Sequence, residues 1–374
     1  MNIKIKKIVK RMIWSIIGVL VVLVVIGVIV INQPNFGKLP SGERLERIKN
    51  SPNYREGKFQ NLHDTPLLVG DKSIVQAWLR ALFADKPKEL RPEINLKNIK
   101  TDLKKFAKDE DVLVWMGHSS LYLQTDGKSI LVDPVLVSAS PFSFYNKAFK
   151  GSESYRPDDI PNIDYLLITH DHWDHLDYET IKQIKDRVRK VICPLGVGSH
   201  LEYWGFTPEN IMEVDWNDSL QLESNIKLTS LPARHFSGRG LKANQSLWTA
   251  YMLQSSLGNI FICGDTGYDN HFLAIRKKFG TIDFAIMENG QYNEDWKYIH
   301  MMPDDLLKAI EDLQPKKVMT VHNSKYALGR HSWHEPLDKI SKASEKSGFN
   351  LITPMMGEPV LLKDSTQTFK KWWK

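Results

Sequence analysis

The chain has 374 residues, enough for one large domain or two average ones, and its 42% hydrophobic and 25% charged content is that of an ordinary globular protein. The formal net charge is +6, but Lys4, Lys6, Lys7, Lys10 and Arg11 supply five of those charges; without them 45 of the 50 basic residues face 44 acidic ones. A body so balanced, with no basic stripe interleaved with aromatics, argues against nucleic acid as a partner. Two cysteines, Cys193 and Cys263, in the apolar runs VICP and FICGD, read as small buried hydrophobes and exclude a disulfide framework.

Taken in chain order, the basic segment 1–11 precedes MIWSIIGVLVVLVVIGVIVI, Met12 to Ile31, 20 residues without a charge. At 1.5 Å rise per residue that run spans the ~30 Å of a bilayer core. The following INQPNFGKLP has no A-x-A-like cleavage site, which favours an uncleaved signal anchor over a secretory signal. The positive flank predicts a cytoplasmic N-terminus, with the rest of this single-pass chain on the extracytoplasmic side of the cell membrane. Residues 32–110 read as a juxtamembrane extension that wraps onto the body, with a helical signal at SIVQAWLRALFA, 73–84.

From Asp111 the pattern changes, and 111–374 read as the main domain. VLVWMGHSSLYLQTDGKSILVDP predicts strands turned at Asp126-Gly127. IDYLLITH is a strand from Ile163, and DYETIKQIKDRVRK, with apolar residues at 181, 184 and 188, predicts an amphipathic helix. IKLTSLPA, LWTAYML, NIFICGD, IDFAIME and KKVMTVH are further strands. HFLAIRKKFG reads as a helix ended by Gly280, and PDDLLKAIEDL as one opened by Pro303. This alternation predicts sheets covered by helices. The tail FKKWWK, Phe369 to Lys374, suits a membrane interface and equally a frayed terminus.

The chemistry concentrates in THDHWDHLD. His170, His172, Asp174 and His175 are metal-ligand types, and they come from one bend after an apolar strand. They cannot all face one ion. Two adjacent ions are plausible, with His170 and His172 on one and Asp174 and His175 on the other, while Asp171 and Trp173 alternate away. His235, Asp265 and His322 also follow strands, which predicts one sheet edge for all of them. Asp133 and Asp177 are expected to orient ligands or cap turns. His63, His200, His271 and His334 default to the surface, and His331 to a loop beside the site.

HDHWDH resembles the His-x-His-x-Asp-His signature of the metallo-β-lactamase superfamily. Within it, WMGHSSLYLQTDGKSILVDPVLVSASP, PARHFSGRG, SLWTAYML, GDTGYD and HMMPDDLLKAI, in this order over about Val112 to Pro336, resemble the N-acyl-phosphatidylethanolamine-hydrolysing phospholipase D family and its bacterial relatives. After His322 the chain reads NSK, where vertebrate members carry Trp-Gly-Thr. The resemblance implies an α/β (α+β) four-layer αββα sandwich holding two Zn2+ with a bridging hydroxide. It places His170, His172 and His235 on one zinc, Asp174, His175 and His322 on the other, and Asp265 between them. Asp174 and Asp265 would position the hydroxide. His300, in IHMMP, would lie near the substrate, and His118, in GHSS, would support the site without ligating.

The implied function is a membrane-anchored zinc phosphodiesterase of phospholipase D type, acting on an N-acyl-phosphatidylethanolamine-like phospholipid. The same metals suit an ester, lactone or amide hydrolase. A non-catalytic envelope metal-binding protein is the third reading, and the presence of all seven expected ligands argues against it. The partners expected are a phospholipid or small-molecule substrate and the membrane, and a homodimer is compatible.

Overall fold

The computed structural model describes residues 3–70, 76 and 87–374, so the helical signal at 73–84 lies, apart from Gln76, outside the described residues. Two seven-stranded sheets form the body. Across the first run β16 (Pro359–Leu361), β3 (Val112–Trp115), β4 (Leu121–Thr125), β5 (Lys128–Val132), β6 (Ile163–Leu167), β7 (Val188–Pro194) and β8 (Ile211–Val214). Across the second run β15 (Leu351–Ile352), β14 (Val318–Val321), β13 (Phe284–Glu288), β12 (Gly258–Ile262), β11 (Ala250–Ser255), β10 (Ile226–Leu231) and β9 (Ser219–Glu223). Each sheet is antiparallel at one end and parallel at the other, as β5 to β8 and β12 to β15 show.

Strands such as β3 and β13 are buried along their whole length because both of their faces are covered. Along β3, Leu113 and Trp115 point into the core between the sheets, whereas Val112 and Val114 point outward. The outward face packs against Ile181 and Ile184 of α3 (Tyr178–Ile184) and Leu201 of α4 (Gly198–Tyr203). On the second sheet, α5 (His271–Phe279), α6 (Pro303–Leu313) and α7 (Glu335–Ser347) supply Phe272, Ile275, Leu306, Ile310 and Ile340. The result is the αββα sandwich.

Local chemistry sets several boundaries as expected. Asp126 (φ 50°) and Gly127 (φ 72°) form the two-residue turn between paired Thr125 and Lys128. Gly280 at φ 69° ends α5, and Pro303 opens α6. The helix expected over 177–190 is shorter. It ends at Ile184, and Val188 opens β7, because the run VRKVICP pairs with β6 instead of continuing the helix. Asp177 caps that helix by accepting from the Glu179 amide.

The tail is neither frayed nor a membrane-surface element. Trp372 and Trp373 are 7% and 5% exposed and belong to the inter-sheet core, where Trp372 meets Trp115. Their indole N–H groups donate to Pro354 O and Asp338 Oδ1. Cys193 and Cys263 are free and buried.

At the other end, α1 (Ile3–Ile31) is long and apolar enough to cross a membrane, and as an N-terminal helix it also suits a signal sequence. The extension that follows packs on the body. Arg44 of α2 (Gly42–Lys49) bonds Glu202 and Glu213, and the β1 (Tyr54–Arg55) and β2 (Lys58–Phe59) hairpin places Phe59 in a cluster with Trp216 and Trp248.

Candidate metal centre

The expected single sheet edge is instead the seam between two sheets. His170, His172, Asp174 and His175 follow β6 of the first sheet, whereas His235, Asp265 and His322 follow β10, β12 and β14 of the second. All seven are brought together at that seam. The difference arises because a sandwich lets strand ends from both layers converge, so a site can draw donors from each.

Two groups form. In the first, His172 Nδ1 lies 2.9 Å from His170 Nε2 and 3.1 Å from His235 Nε2. Three imidazole nitrogens this close present lone pairs to one point, a donor set suited to a cation. His235 is oriented for it by its Nδ1, which is 2.8 Å from Ile299 O and leaves Nε2 free. Burial, then the neighbouring rings, hold His170 and His235 well below the usual imidazole range, which favours the neutral ring with a lone pair to offer.

In the second group, Asp174 Oδ2 lies 3.4 Å from His322 Nε2 and 3.8 Å from His175 Nε2. His175 Nδ1 is held by Asp133 at 2.8 Å, and Asp133 also accepts from the Thr169 amide and hydroxyl. Asp133 is therefore the orienting partner anticipated for it. Burial opposes the charge on Asp174, but hydrogen bonds from His118 and His322 keep its carboxyl well below the usual range.

Asp265 Oδ2 joins the groups, 3.1 Å from His175 Nε2, 3.2 Å from His322 Nε2, 3.8 Å from His170 Nε2 and 3.9 Å from His235 Nε2. Burial alone would neutralise it, yet His175 and His322 hold it ionised. The preceding Gly264 is required here: at φ 62°, its added Cβ would stand 2.9 Å from Thr249 O. The residues fit metal ions by a further test. Asp265 Oδ1 and His175 Nε2 are buried polar atoms with no hydrogen-bond partner, which a protein leaves where something else satisfies them.

His118 stands closer than a supporting residue was expected to, with Nε2 2.8 Å from Asp174 Oδ2 inside the same group of donors. His118, Asp133 and His322 have φ of 53°, 40° and 66°, the left-handed region that side chains other than glycine seldom occupy, and such backbone gathers at working sites. His300 sits at the rim, stacked on His322 with centroids 5.2 Å apart. Its Nδ1 is 2.9 Å from Glu288 Oε2; burial works against its charge, but Glu288 prevails and pushes it up to about 9.

Other expectations change. His200 and His271 are buried rather than superficial, 3% and 5% exposed, and His200 lies 3.3 Å from Asp171. His63 is exposed beside Asp269, and His331 accepts from the Gln291 amide beside the site. Asp171 and Trp173 do turn away from the donors: Asp171 accepts from Gly238 N and Ser246 Oγ, and Trp173 lies under the Arg239 guanidinium.

Two functional residues escaped sequence reasoning. Glu288 had a legible sign, a carboxylate ending the apolar strand FAIME. Asn61 had none. Its Oδ1 accepts from the His235 amide at 3.0 Å and its Nδ2 donates to the His235 carbonyl at 2.7 Å. An Asn61→Ala variant is expected to bind its metals about 10–100-fold more weakly, the usual loss on removing an outer partner of a ligand, as read by competition with a chelator.

The fold and this arrangement of donors define a metallo-hydrolase with a dinuclear metal site, and comparison with known proteins places it. Residues 128–323 match the family model for the β-lactamase superfamily domain, and the chain belongs to the metallo-β-lactamase superfamily. An uncharacterized protein of Mycobacterium tuberculosis is 31% identical over 331 residues, 87% of this chain and 88% of that one. The homologues include N-acyl-phosphatidylethanolamine-hydrolysing phospholipases D. That of Caenorhabditis elegans is 27% identical over 65% of this chain and 74% of its own length. The mitochondrial enzyme of Saccharomyces cerevisiae is 32% identical over 63% of this chain and 52% of its own length. Among solved structures, the metallo hydrolase Igni18 of Ignicoccus hospitalis (TM-score 0.51, 19% identity, 67% of this chain, 97% of that) shares the fold. So does CmlA, a diiron β-hydroxylase of Streptomyces venezuelae (TM-score 0.51, 20% identity, 67% of this chain, 54% of that).

Proposed function

We propose that the chain is a membrane-anchored, zinc-dependent phosphodiesterase of phospholipase D type acting on N-acyl-phosphatidylethanolamine-like phospholipids. The observation that carries this reading is the seven-residue donor set split around Asp265, in a chain whose homologues include two such phospholipases. In this reading, His170, His172 and His235 hold one zinc, Asp174, His175 and His322 the other, and Asp265 spans both. Residues 1–11 are cytoplasmic, 12–31 form the anchor, 32–110 are the juxtamembrane extension and 111–374 are the hydrolase domain outside. When bound, the two ions supply an acidified water and neutralise charge on the phosphoryl oxygens.

The chain's own groups do the rest. Asp174 and Asp265, both ionised, orient the attacking water and receive its proton. Asp133 and the Ile299 carbonyl fix the tautomers of His175 and His235. With Nδ1 committed to Glu288, His300 offers Nε2 to the leaving oxygen.

The test is turnover by the purified full chain against diacyl phosphodiesters and against esters and lactones, with metal content measured by mass spectrometry. Phosphodiester cleavage with about two zinc ions per chain is expected. Turnover of carbonyl substrates alone would overturn the phosphodiesterase reading, and iron in place of zinc would overturn the metal.

A further inference from the structure

We propose that two exposed apolar loop tips, one carrying Phe142, Phe144 and Tyr145 and the other Leu241, dip into the lipid bilayer beside α1 and hold the metal-binding bend at the lipid surface. This rests on the reading of α1 as an anchor and is independent of which bond the enzyme cleaves. Phe142, Phe144, Tyr145 and Leu241 are 41%, 72%, 63% and 85% exposed, and Phe142 and Phe144 stack with centroids 5.5 Å apart. Large apolar side chains grouped in water are costly, and such grouping marks a contact surface.

The occupant is set by what joins the two tips. Asn35, four residues past the end of α1, binds both. Its Nδ2 donates to Pro141 O at 2.8 Å, and its carbonyl accepts from Arg239 Nε at 3.2 Å and Nη2 at 2.8 Å. Four residues reach at most ~14 Å from Ile31, so a bilayer that takes up α1 lies beside these loops. None of the apolar window of α1 is buried against the body, which leaves it wholly available to lipid. Lys38, Lys147 and Lys242 are exposed on the same segments, where lysine complements anionic head groups.

The same residues reach the chemistry. Arg239 Nη1 donates to the carbonyls of Asp171 (2.9 Å) and Leu176 (2.6 Å), and its guanidinium lies 4.0 Å over Trp173. Phe36 packs edge-on to Trp173 at 5.1 Å. The anchor is thereby docked onto the bend His170–His175 instead of trailing on a free linker. A lipid substrate would reach the site from the bilayer surface without leaving it.

Spin labels test this in the full chain reconstituted into vesicles of phosphatidylcholine and phosphatidylglycerol. Both native cysteines are buried, so labels go to Phe144→Cys, Leu241→Cys, Val21→Cys within α1 and, as a reference, Leu361→Cys on β16, at the opposite edge of the first sheet from β8. The accessibility to oxygen relative to a water-soluble nickel chelate is expected to rise severalfold at Phe144 and Leu241 over Leu361. Nickel-accessible labels at both loops, with Val21 in lipid, would overturn the proposal and leave the anchor standing. Loops shielded from both reagents would mean contact with a second copy, which also overturns it. A Val21 label in water would overturn the anchor and the proposal together.

Discussion

Asp265→Asn is expected to lower turnover about a thousandfold, the equivalent of ~4 kcal/mol at 1.36 kcal/mol per factor of ten. The substitution keeps the side-chain volume and removes one charge, at the position where one carboxylate oxygen approaches four imidazoles within 3.9 Å. An amide presents either a neutral oxygen or an N–H to the same place, and an N–H cannot ligate. Metal analysis of the variant should show less than the full complement, with the fold intact by circular dichroism. Unchanged metal content together with unchanged turnover would sink the assignment of Asp265 as the spanning residue.

The second large effect is on stability. Trp372→Ala is expected to cost about 3–5 kcal/mol, the range for deleting a buried aromatic, read as a lower denaturant midpoint of the full chain in mild detergent. The indole packs beside Trp115 and Trp373 in the inter-sheet core and donates to Pro354 O. Lys371→Ala, one residue away but exposed and paired with Glu345, should change stability by under ~0.5 kcal/mol. Equal effects from the two substitutions would refute the buried role of the tail.

The tail also shows where sequence reasoning falters. FKKWWK carries aromatics and lysines in proportions that suit a bilayer surface, and nothing local says that a gap between two sheets awaits the indoles. By contrast, the turn at Asp126-Gly127, the stop at Gly280 and the start at Pro303 were legible because each rests on backbone preferences of the residue itself. Val188 was misjudged because its spacing fits a helical period, while its partner strand lies 25 residues earlier, at Ile163.

The candidate site divides in the same way. The crowding of HDHWDH and the strand-end positions of His235, Asp265 and His322 mark them as donors from sequence. That the donors straddle two layers is a matter of topology. Asn61 is the extreme case: it acts on His235 from 174 residues away, through a segment whose composition resembles a spacer. His200 and His271 looked superficial because a histidine carries no sign of its burial when its partner, such as Asp171, is distant in sequence.

The straddling has a consequence for the endurance of the protein. A cation pair gripped by His170, Asp174 and His175 from one sheet and by His235, Asp265 and His322 from the other would rivet the layers together. Ligands that bind only the folded chain add RT ln(1 + [L]/Kd) to its stability, ~2.7 kcal/mol at a hundredfold excess over Kd. Occupancy and resistance to unfolding are then one quantity. The supply of metal would then govern the lifetime of the protein as well as its rate.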